Sequence, residues 1–136
     1  MRDAYRDALS AQLAQAESIH ADSRGHKKGH KPTSFGRIPW EFLFAMAGHY
    51  HSGAEKYNED FDTQETNPNG DNWRKGGRYS EGYEALTRHL WLWWAGEDSS
   101  HLVAAAWHCA TLWWYDLRGV GVDDRPVPPD QEETRT

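Results

Sequence analysis

The stretch YSEGYEALTRHLWLWWAGEDSSHLVAAAWHCATLWWYDL, residues 79–117, decides the fold. Its apolar residues recur every three or four positions, as on the buried faces of two helices. They are Tyr79, Tyr83, Leu86, Leu90 and Trp94, then Leu102, Ala105, Ala106, Cys109, Leu112 and Trp113. Gly96 lies between the two sets, where a left-handed residue closes a helix. The pattern predicts one helix over 79–95 and a second helix that is capped by Ser99 or Ser100 and runs to about Leu117. The two helices are expected to pack as an antiparallel hairpin.

Another helix is predicted upstream of this hairpin, from Pro39 to about Tyr57, because proline is favoured in a first helical turn. The first half of that helix is apolar nearly all round, so we expect it to be deeply buried. Residues 58–72, which follow, are acidic and include Pro68-Asn69-Gly70, which indicates a loop. The glycine and the twelfth-position glutamate of an EF-hand do not fall in place, which excludes that calcium motif.

The two ends of the chain differ in composition from this central part. Residues 3–20 carry a narrow apolar stripe at helical spacing and predict a helix. Residues 20–36 are rich in His and Lys. They form either a solvated linker or a basic arm that reaches an anionic ligand in a neighbouring subunit. Residues 119–136 are acidic and proline-rich, so we expect a disordered tail.

No segment shows the alternation of a strand, so the expected fold class is all-α: a small helical bundle built on the Trp-rich hairpin. The domain organisation expected is an N-terminal helix and linker over 1–36, one domain over 37–118, and the tail. A length of 136 residues fits a single domain.

The overall composition excludes several functional classes. The formal net charge is −6, which argues against binding to a nucleic-acid duplex. No apolar run approaches the roughly 20 residues of a membrane span, and the first residues lack a signal sequence, so the cytoplasm is the expected location. The single cysteine, Cys109, excludes an intramolecular disulfide and a cysteine-based zinc site.

Eight tryptophans are unusual for this length, and six of them lie on the hairpin. Trp91, Trp93 and Trp94 point in three directions, because successive helical residues are about 100° apart. One core cannot receive all three, so a second surface must exist, either a subunit interface or a ligand cavity. Tryptophan is enriched at interfaces, which favours a homo-oligomer, a dimer or a tetramer.

The polar residues of the hairpin cluster around its turn. They are Arg88, His89, Glu97, Asp98, His101 and His108. In a hairpin that turns near residue 97, His89 lies level with about residue 105, between His101 and His108. A site made of His89, a carboxylate and one histidine of the following helix is therefore allowed. The alternative is that these histidines cap helices, form hydrogen bonds in the core or titrate in solvent.

Glu81 and Glu84 have the E-x-x-E spacing, which places two carboxylates on one helical face. The MazG-type nucleotide pyrophosphohydrolases hold Mg²⁺ with this spacing and an E-x-x-D on the next helix. Here the second half is missing, because no acidic residue lies between Asp98 and Asp116. The motif is common by chance on solvated helices, so it is a weak signal for a metal site.

An ordered series of short motifs over residues 37–116 resembles one family. The motifs are Arg37-Ile38-Pro39, Gly53-Ala54-Glu55-Lys56-Tyr57, Asn72-Trp73-Arg74-Lys75-Gly76, Tyr79, Arg88-His89-Leu90, Gly96-Glu97-Asp98 and His101-Leu102. They resemble the phage-type dATP/dGTP diphosphohydrolase N-terminal domain family. The resemblance implies an all-α, MazG-like enzyme that converts purine deoxynucleoside triphosphates to monophosphate and pyrophosphate with a divalent metal. It also implies a role in phage nucleotide-pool control, in the host cytoplasm.

The resemblance implies a role for each matching residue. Catalytic roles fall on His89, His101 and Glu97, and contacts to the purine nucleotide fall on Lys56, Asn72, Trp73 and Arg88. Glu97 and Asp98 are the expected ligands of Mg²⁺ or Mn²⁺, and Glu84 of the E-x-x-E motif, which is outside the matching motifs, is a further candidate. For Trp73, stacking on a purine and anchoring the loop in the core are equally open.

A second hypothesis is a nucleotide-binding protein that does not hydrolyse its ligand, such as a sponge for a nucleotide signal. Three features favour it: the incomplete set of metal ligands, the polar arm over 20–36, and Ala104, which stands where the family often has a second histidine. A purely structural role, suggested by the surplus of tryptophan, is a third reading.

Overall fold

The computed structural model describes residues 7, 9–11, 18–21, 23–64 and 67–127. Two compact units divide the chain between Leu43 and Phe44. The residues of the helical hairpin, and all of the site residues predicted from the sequence, belong to the second unit. Each unit is described by itself below.

The first unit contains a short β-hairpin that the sequence pattern did not predict. Strand β1, Ser18–Ala21, pairs antiparallel with β2, Lys27–His30, and Ser18 lies opposite His30. The prediction of helix up to residue 20 is therefore wrong from Ser18 onward. Residues 9–11 are helical, and most of the remaining predicted helix lies outside the described residues. Four-residue strands of sequence SIHA and KKGH are too short and too polar to show alternation.

Helix α1, Trp40–Tyr57, begins directly after Pro39, as predicted. The Pro39 carbonyl accepts hydrogen bonds from the amides of Phe42 and Leu43. The expectation that its first half is deeply buried is wrong, because the side chains of Trp40 and Phe44 are 69% and 76% exposed. A helix that is apolar all round is normally buried, and the described residues of the chain leave these two side chains uncovered.

The acidic loop after α1 is closed at its base by Asn58. Its side-chain amide donates to Asp71 Oδ1 at 2.9 Å, and its Oδ1 accepts from the Asn72 amide at 2.9 Å. Between these points lie a short helix α2, Phe61–Gln64, and a 3-10 turn, Pro68–Gly70. A second 3-10 turn, Asn72–Lys75, follows and leads into the hairpin.

The predicted hairpin is confirmed as helices α3, Tyr79–Trp94, and α4, Ser100–Arg118. Gly96 lies in the turn with a φ of 102°, as a left-handed closing residue requires. The cap of α4 comes from Asp98, whose Oδ1 accepts from the Ser100 amide at 2.7 Å, rather than from a serine hydroxyl. The two helices approach closely, since a Cβ on Gly82 would lie 2.8 Å from Leu112 Cδ2.

The segment after α4 returns to the start of α3. Gly119, with a φ of 69°, ends α4, and Val122 exchanges hydrogen bonds of 3.0 Å with the Gly77 carbonyl and the Tyr79 amide. Asp124 Oδ1 accepts from the Ser80 amide at 2.8 Å. Residues 119–124, which we expected to belong to a disordered tail, are therefore ordered in the structure, because the backbone of Val122 pairs with the extended segment at Gly77. Residues 128–136 lie outside the described residues.

The buried core of the second unit is small and lies between α3 and α4. Among the described residues, the buried ones are Tyr79, Ala104, Ala105, Thr111 and Tyr115. The all-α fold class is confirmed, with the β-hairpin as an addition. In the described part of the chain, no helix combines the length and apolar character that crossing a membrane requires.

Candidate active site: a histidine cluster beside the hairpin turn

Four histidines from three helices lie together, and we call them the histidine cluster: His49, His89, His101 and His108. The Nδ1 atoms of His89 and His101 are 2.9 Å apart. The His89 ring stacks on the ring of His108, with centroids 5.8 Å apart and planes inclined by 21°. Trp107 contacts both His49 and His108, at centroid distances of 5.5 and 4.9 Å. The arrangement that the hairpin spacing allowed, with His89 between His101 and His108, is therefore present.

The Glu97 carboxylate fixes where the protons of this cluster lie. His101 Nε2 is 3.3 Å from Glu97 Oε1, and a carboxylate only accepts hydrogen bonds, so Nε2 of His101 carries the proton. In a neutral His101, Nδ1 is then an acceptor, and His89 donates to it through its own Nδ1–H. Nε2 of a neutral His89 is left with a free lone pair.

Burial lowers the pKa of three of the four histidines of the cluster. The pKa of His108 is lowered to about 4, first by burial and then by the neighbouring His89, His49 and Arg88. The pKa of His89 is also lowered, by burial first and next by His101, and burial lowers the pKa of His49. Near neutral pH these three imidazoles are therefore uncharged and able to accept a proton.

Of the two cations predicted to contact the nucleotide, Arg88 lies beside the cluster, and Lys56 lies about two turns further along α1 than His49. Arg88 is exposed, and its charge contributes to the lowered pKa values of His89 and His108. Lys56 is exposed in the last turn of α1, with its ammonium 5.0 Å above the Tyr57 ring. Seven residues separate it from His49, which places both on one face of the helix about 10 Å apart.

Trp73 is half-buried and packs against other aromatic side chains, as the anchoring role left open by the sequence requires. Its ring lies 5.0 Å from that of Trp114 and 5.5 Å from that of Tyr50, and the Arg74 guanidinium lies 4.6 Å from it. Its carbonyl accepts from the Tyr115 hydroxyl. The ring is thus surrounded by protein side chains. Neighbouring Asn72 is exposed, and its amide is held by Asn58.

The three carboxylates predicted to hold a metal are not brought together. Glu97 contacts His101, Asp98 caps α4, and Glu84 lines a separate cavity of about 900 Å³ between α3 and α4. Glu84 lies ten residues before Trp94, hence about 15 Å from the hairpin end of α3. Within the described ranges, no group of three His, Cys, Asp or Glu side chains has the arrangement to hold an ion. Among the described residues, the carboxylates are therefore not grouped as the oxygen ligands of a near-octahedral Mg²⁺ centre would be.

Sequence reasoning missed His49 and Trp107 as parts of this site. The sequence offers only a weak indication of a role for His49: this residue ends the apolar first half of α1 and precedes Lys56 by seven residues. Nothing in a single sequence tells which face of α1 packs beside α4, so His49 could not be placed.

Comparison with known proteins identifies one family that the chain matches. Neither the curated proteins nor the solved structures contain a match to the chain. The model of one family, described as dATP/dGTP diphosphohydrolase, N-terminal, matches residues 22–125. This range covers most of the chain and includes the whole histidine cluster, Glu97, Arg88 and Lys56. The chain therefore belongs to the dATP/dGTP diphosphohydrolase N-terminal domain family.

Proposed function

We propose that this protein is a nucleoside triphosphate pyrophosphohydrolase that converts dATP or dGTP to the monophosphate and pyrophosphate. The family description supports a nucleotide hydrolase role. The observation that carries the proposal is the hydrogen-bonded chain from Glu97 through His101 to His89. In this setting the enzyme would serve nucleotide-pool control in the cytoplasm of a phage-infected host.

The chain of hydrogen bonds provides a general base for hydrolysis. Nε2 of His89 takes a proton from the attacking water, whose oxygen forms a new bond to phosphorus as the α–β phosphoanhydride bond breaks. The pyrophosphate leaves with the electron pair of that bond. His89 passes its Nδ1 proton to His101, and the Glu97 carboxylate stabilises the imidazolium that forms there, as an orienting acid does in other histidine-based sites.

Arg88 and Lys56 supply positive charge for the triphosphate. A phosphoryl transition state spreads negative charge over its oxygens, so fixed cations lower the barrier. Arg88 is adjacent to His89 in sequence, and Lys56 shares the helix face of His49. We propose that both cations contact the phosphates, Arg88 from its position next to His89 and Lys56 from the last turn of α1.

We propose that Mg²⁺ or Mn²⁺ arrives as the complex with the nucleotide. Magnesium in such enzymes is commonly bound through one or two carboxylates and the substrate phosphates. Glu97 is the carboxylate of the site that could contact such a complex. This proposal agrees with a protomer whose described residues form no three-ligand metal group.

A homo-oligomer, a dimer or tetramer, is also proposed. Trp91 and Trp94 are 71% and 82% exposed, and with Thr87, Leu90 and Trp93 they line a shallow apolar hollow of about 400 Å³. We call this the tryptophan surface. Contiguous apolar surface of this kind marks interaction sites, and tryptophan is typical of the centres of interfaces.

The alternative function, nucleotide binding without hydrolysis, is favoured by one observation. The position of Ala104 is occupied by a buried methyl group, 7% exposed, so no further ligand reaches the cluster from that turn of α4. A protein of this kind would retain its nucleotide and release no pyrophosphate.

One assay separates the two functions. The purified protein is incubated with each of the four dNTPs and four NTPs in Mg²⁺ or Mn²⁺, and pyrophosphate and monophosphate are quantified. We expect pyrophosphate and monophosphate in equal amounts from dATP or dGTP. Tight retention of a purine nucleotide without any pyrophosphate would contradict the enzyme and select the binding protein.

A further inference from the structure

The charge of this chain is divided unevenly between its two units. Residues 1–43 contain seven Lys or Arg and five Asp or Glu, a net charge of +2, and residues 44–136 contain eight and sixteen, a net charge of −8. Between residues 23 and 38 there are five basic residues and no acidic one. The net charge of the whole chain, which argues against binding to a duplex, therefore does not describe the first unit.

Four of these five cations lie on the β-hairpin of the first unit. We call residues 18–31, which comprise β1, β2 and the residues beside them, the basic ribbon. The side chains of Arg24, Lys27, Lys28 and Lys31 are exposed. Lys27 and Lys28 are neighbours in β2, and successive residues of a strand point to opposite faces. Both faces of the basic ribbon therefore carry a cation.

A ribbon of this kind has little to hold it against a core of its own. An isolated two-stranded hairpin is marginally stable in water, and it gains stability from an apolar face, further strands or a helix packed against it. Among the described residues, β1 and β2 pair with each other and with no third strand. A cation on each face also opposes burial of either face against apolar side chains. These features favour a partner that is itself polar and negatively charged.

The shape of the ribbon matches a nucleic-acid duplex. Paired strands lie about 4.8 Å apart, and the major groove, about 12 Å wide, admits a two-stranded β-ribbon. Phosphates line both sides of that groove, so cations on both faces of a ribbon can reach them. Proteins that bind single strands rely on aromatic rings that stack on the bases, and residues 18–31 contain no Phe, Tyr or Trp.

We propose that the basic ribbon binds the phosphate backbone of a nucleic-acid duplex. Lys27 and Lys28 contact phosphates from the two faces of the ribbon, and Arg24 and Lys31 add positive charge before and after β2. Contacts to phosphates position a protein on a duplex without reading its sequence, so the binding is independent of sequence. The inference goes beyond the proposed function, because it concerns the first unit and does not depend on hydrolysis.

The salt dependence of binding tests the proposal. The full chain is titrated into a fluorescently labelled DNA duplex of mixed sequence at several salt concentrations, and binding is followed by fluorescence anisotropy. Each neutralised phosphate releases counterions, so two to four contacts should give a plot of log affinity against log salt with a slope between about −2 and −4. Lys27→Ala/Lys28→Ala should make this slope shallower by about 2 and weaken binding by about 10-fold or more at low salt.

Two further double variants identify the cause of that loss. Lys27→Arg/Lys28→Arg keeps both charges on the ribbon and should keep the slope of the wild type, so loss of binding in this variant would overturn the role of charge. Lys75→Ala/Arg118→Ala removes two charges from exposed positions of the second unit. It should leave the slope and the affinity unchanged.

The proposal is overturned if the wild type does not bind the duplex at low salt, or if Lys27→Ala/Lys28→Ala binds it with the slope of the wild type. Tighter binding of a single strand of the same length would also overturn it. Polyglutamate and unlabelled duplex are compared as competitors at equal negative charge, and we expect the duplex to compete better. Equal competition would assign the basic ribbon to an acidic protein surface instead.

Discussion

The carboxylate of Glu97 orients the whole proton chain, because it is the acceptor that sets the tautomer of His101 and, through it, that of His89. In the proposed mechanism His89 Nε2 receives the proton, so losing the His89 ring should affect the chemical step more than binding. Arg88 and Lys56 would still hold the phosphates in its absence.

We therefore predict that His89→Ala lowers kcat by about 10²- to 10⁴-fold, the usual contribution of a general base, with KM changed little. Steady-state release of pyrophosphate from dGTP measures both constants. His51→Ala is the matched control, since His51 is an exposed histidine of α1 whose ring contacts Phe61. Equal turnover by wild type and His89→Ala would contradict the proposed base.

The lowered pKa of His108 predicts how stability depends on pH. In the unfolded chain this group titrates at the ordinary 6.5, and in the folded protein at about 4. Between these values the unfolded state binds the extra proton, so acid favours unfolding. The part of the free energy of unfolding that depends on His108 is fully present above about pH 6.5. It is lost progressively as the pH falls to about 4, and it changes no further below that pH.

Urea midpoints at pH 7.5, 5.5 and 4.5 measure this dependence. We expect the midpoint of the wild type to fall over this range and the decline to be shallower in His108→Asn, which has no titrating ring. An identical pH profile for the two proteins would show that His108 titrates at its ordinary pKa in the folded state.

Trp73 illustrates what a sequence leaves undecided about one residue. The motif Asn72-Trp73 is compatible with a ring that stacks on a purine and with a ring that fills the core. The choice depends on Trp114 and Tyr50, which belong to different helices and contact the ring from two sides. Partners so distant in the chain leave no local pattern to read.

At the scale of secondary structure, the long helices follow from the sequence and the short pairings do not. Helices α3 and α4 show helical periodicity over four or more turns, and Gly96 and Gly119 mark their ends. Helix α1 follows from a long apolar segment that begins at Pro39. The pairing of β1 with β2 and the return of Val122 to Gly77 involve very few residues each. Both depend on which extended segments meet in space, which periodicity does not encode.

The return segment depends on two glycines that face each other. Gly121 has a φ of 84°, and a Cβ there would lie 2.5 Å from the Gly77 carbonyl oxygen. We predict that Gly121→Ala lowers the free energy of unfolding by about 2 kcal/mol or more, through backbone strain and this overlap. Urea denaturation measures the change.

Gly48→Ala is the control for that substitution. Gly48 is helical, and no heavy atom lies within 4 Å of a Cβ built there. Replacing it should leave stability unchanged or raise it by up to about 1 kcal/mol, from helix propensity. A Gly121→Ala variant as stable as Gly48→Ala would mean that residues 120–124 do not pair with the start of α3.

At the scale of the whole molecule, apolar side chains remain uncovered on the protomer. The exposed Phe44 shows why the predicted burial of α1 was wrong for one chain. An apolar pattern identifies the apolar face of a helix but does not identify the partner that covers it. A second copy of the chain is the partner that the proposed oligomer supplies.

Light scattering coupled to gel filtration tests the oligomer. We predict a dimer or tetramer for the wild type and a shift to smaller species for Trp94→Lys, because a charge placed in an apolar interface must be desolvated. Phe35→Lys, at an equally exposed residue of the first unit, is the control. A monomeric wild type at the concentrations used would contradict the proposal.

The proposal that the metal arrives with the nucleotide predicts a difference between the free protein and the nucleotide-bound protein. We expect no tight binding of Mn²⁺ to the free protein in equilibrium dialysis and one ion retained per site when the α,β-imido analogue of dGTP is added. Stoichiometric, tight Mn²⁺ in the absence of nucleotide would show a resident metal centre instead.

The most direct test of the central claim follows dGTP by ³¹P nuclear magnetic resonance in the presence of Mg²⁺, with wild type and His89→Ala in parallel. With the wild type we predict that the triphosphate signals are replaced by those of dGMP and pyrophosphate in equal amounts, without dGDP or orthophosphate. The variant should leave dGTP largely unchanged over the same time. Formation of dGDP and orthophosphate, or equal conversion by both proteins, would contradict a pyrophosphohydrolase that uses His89 as its base.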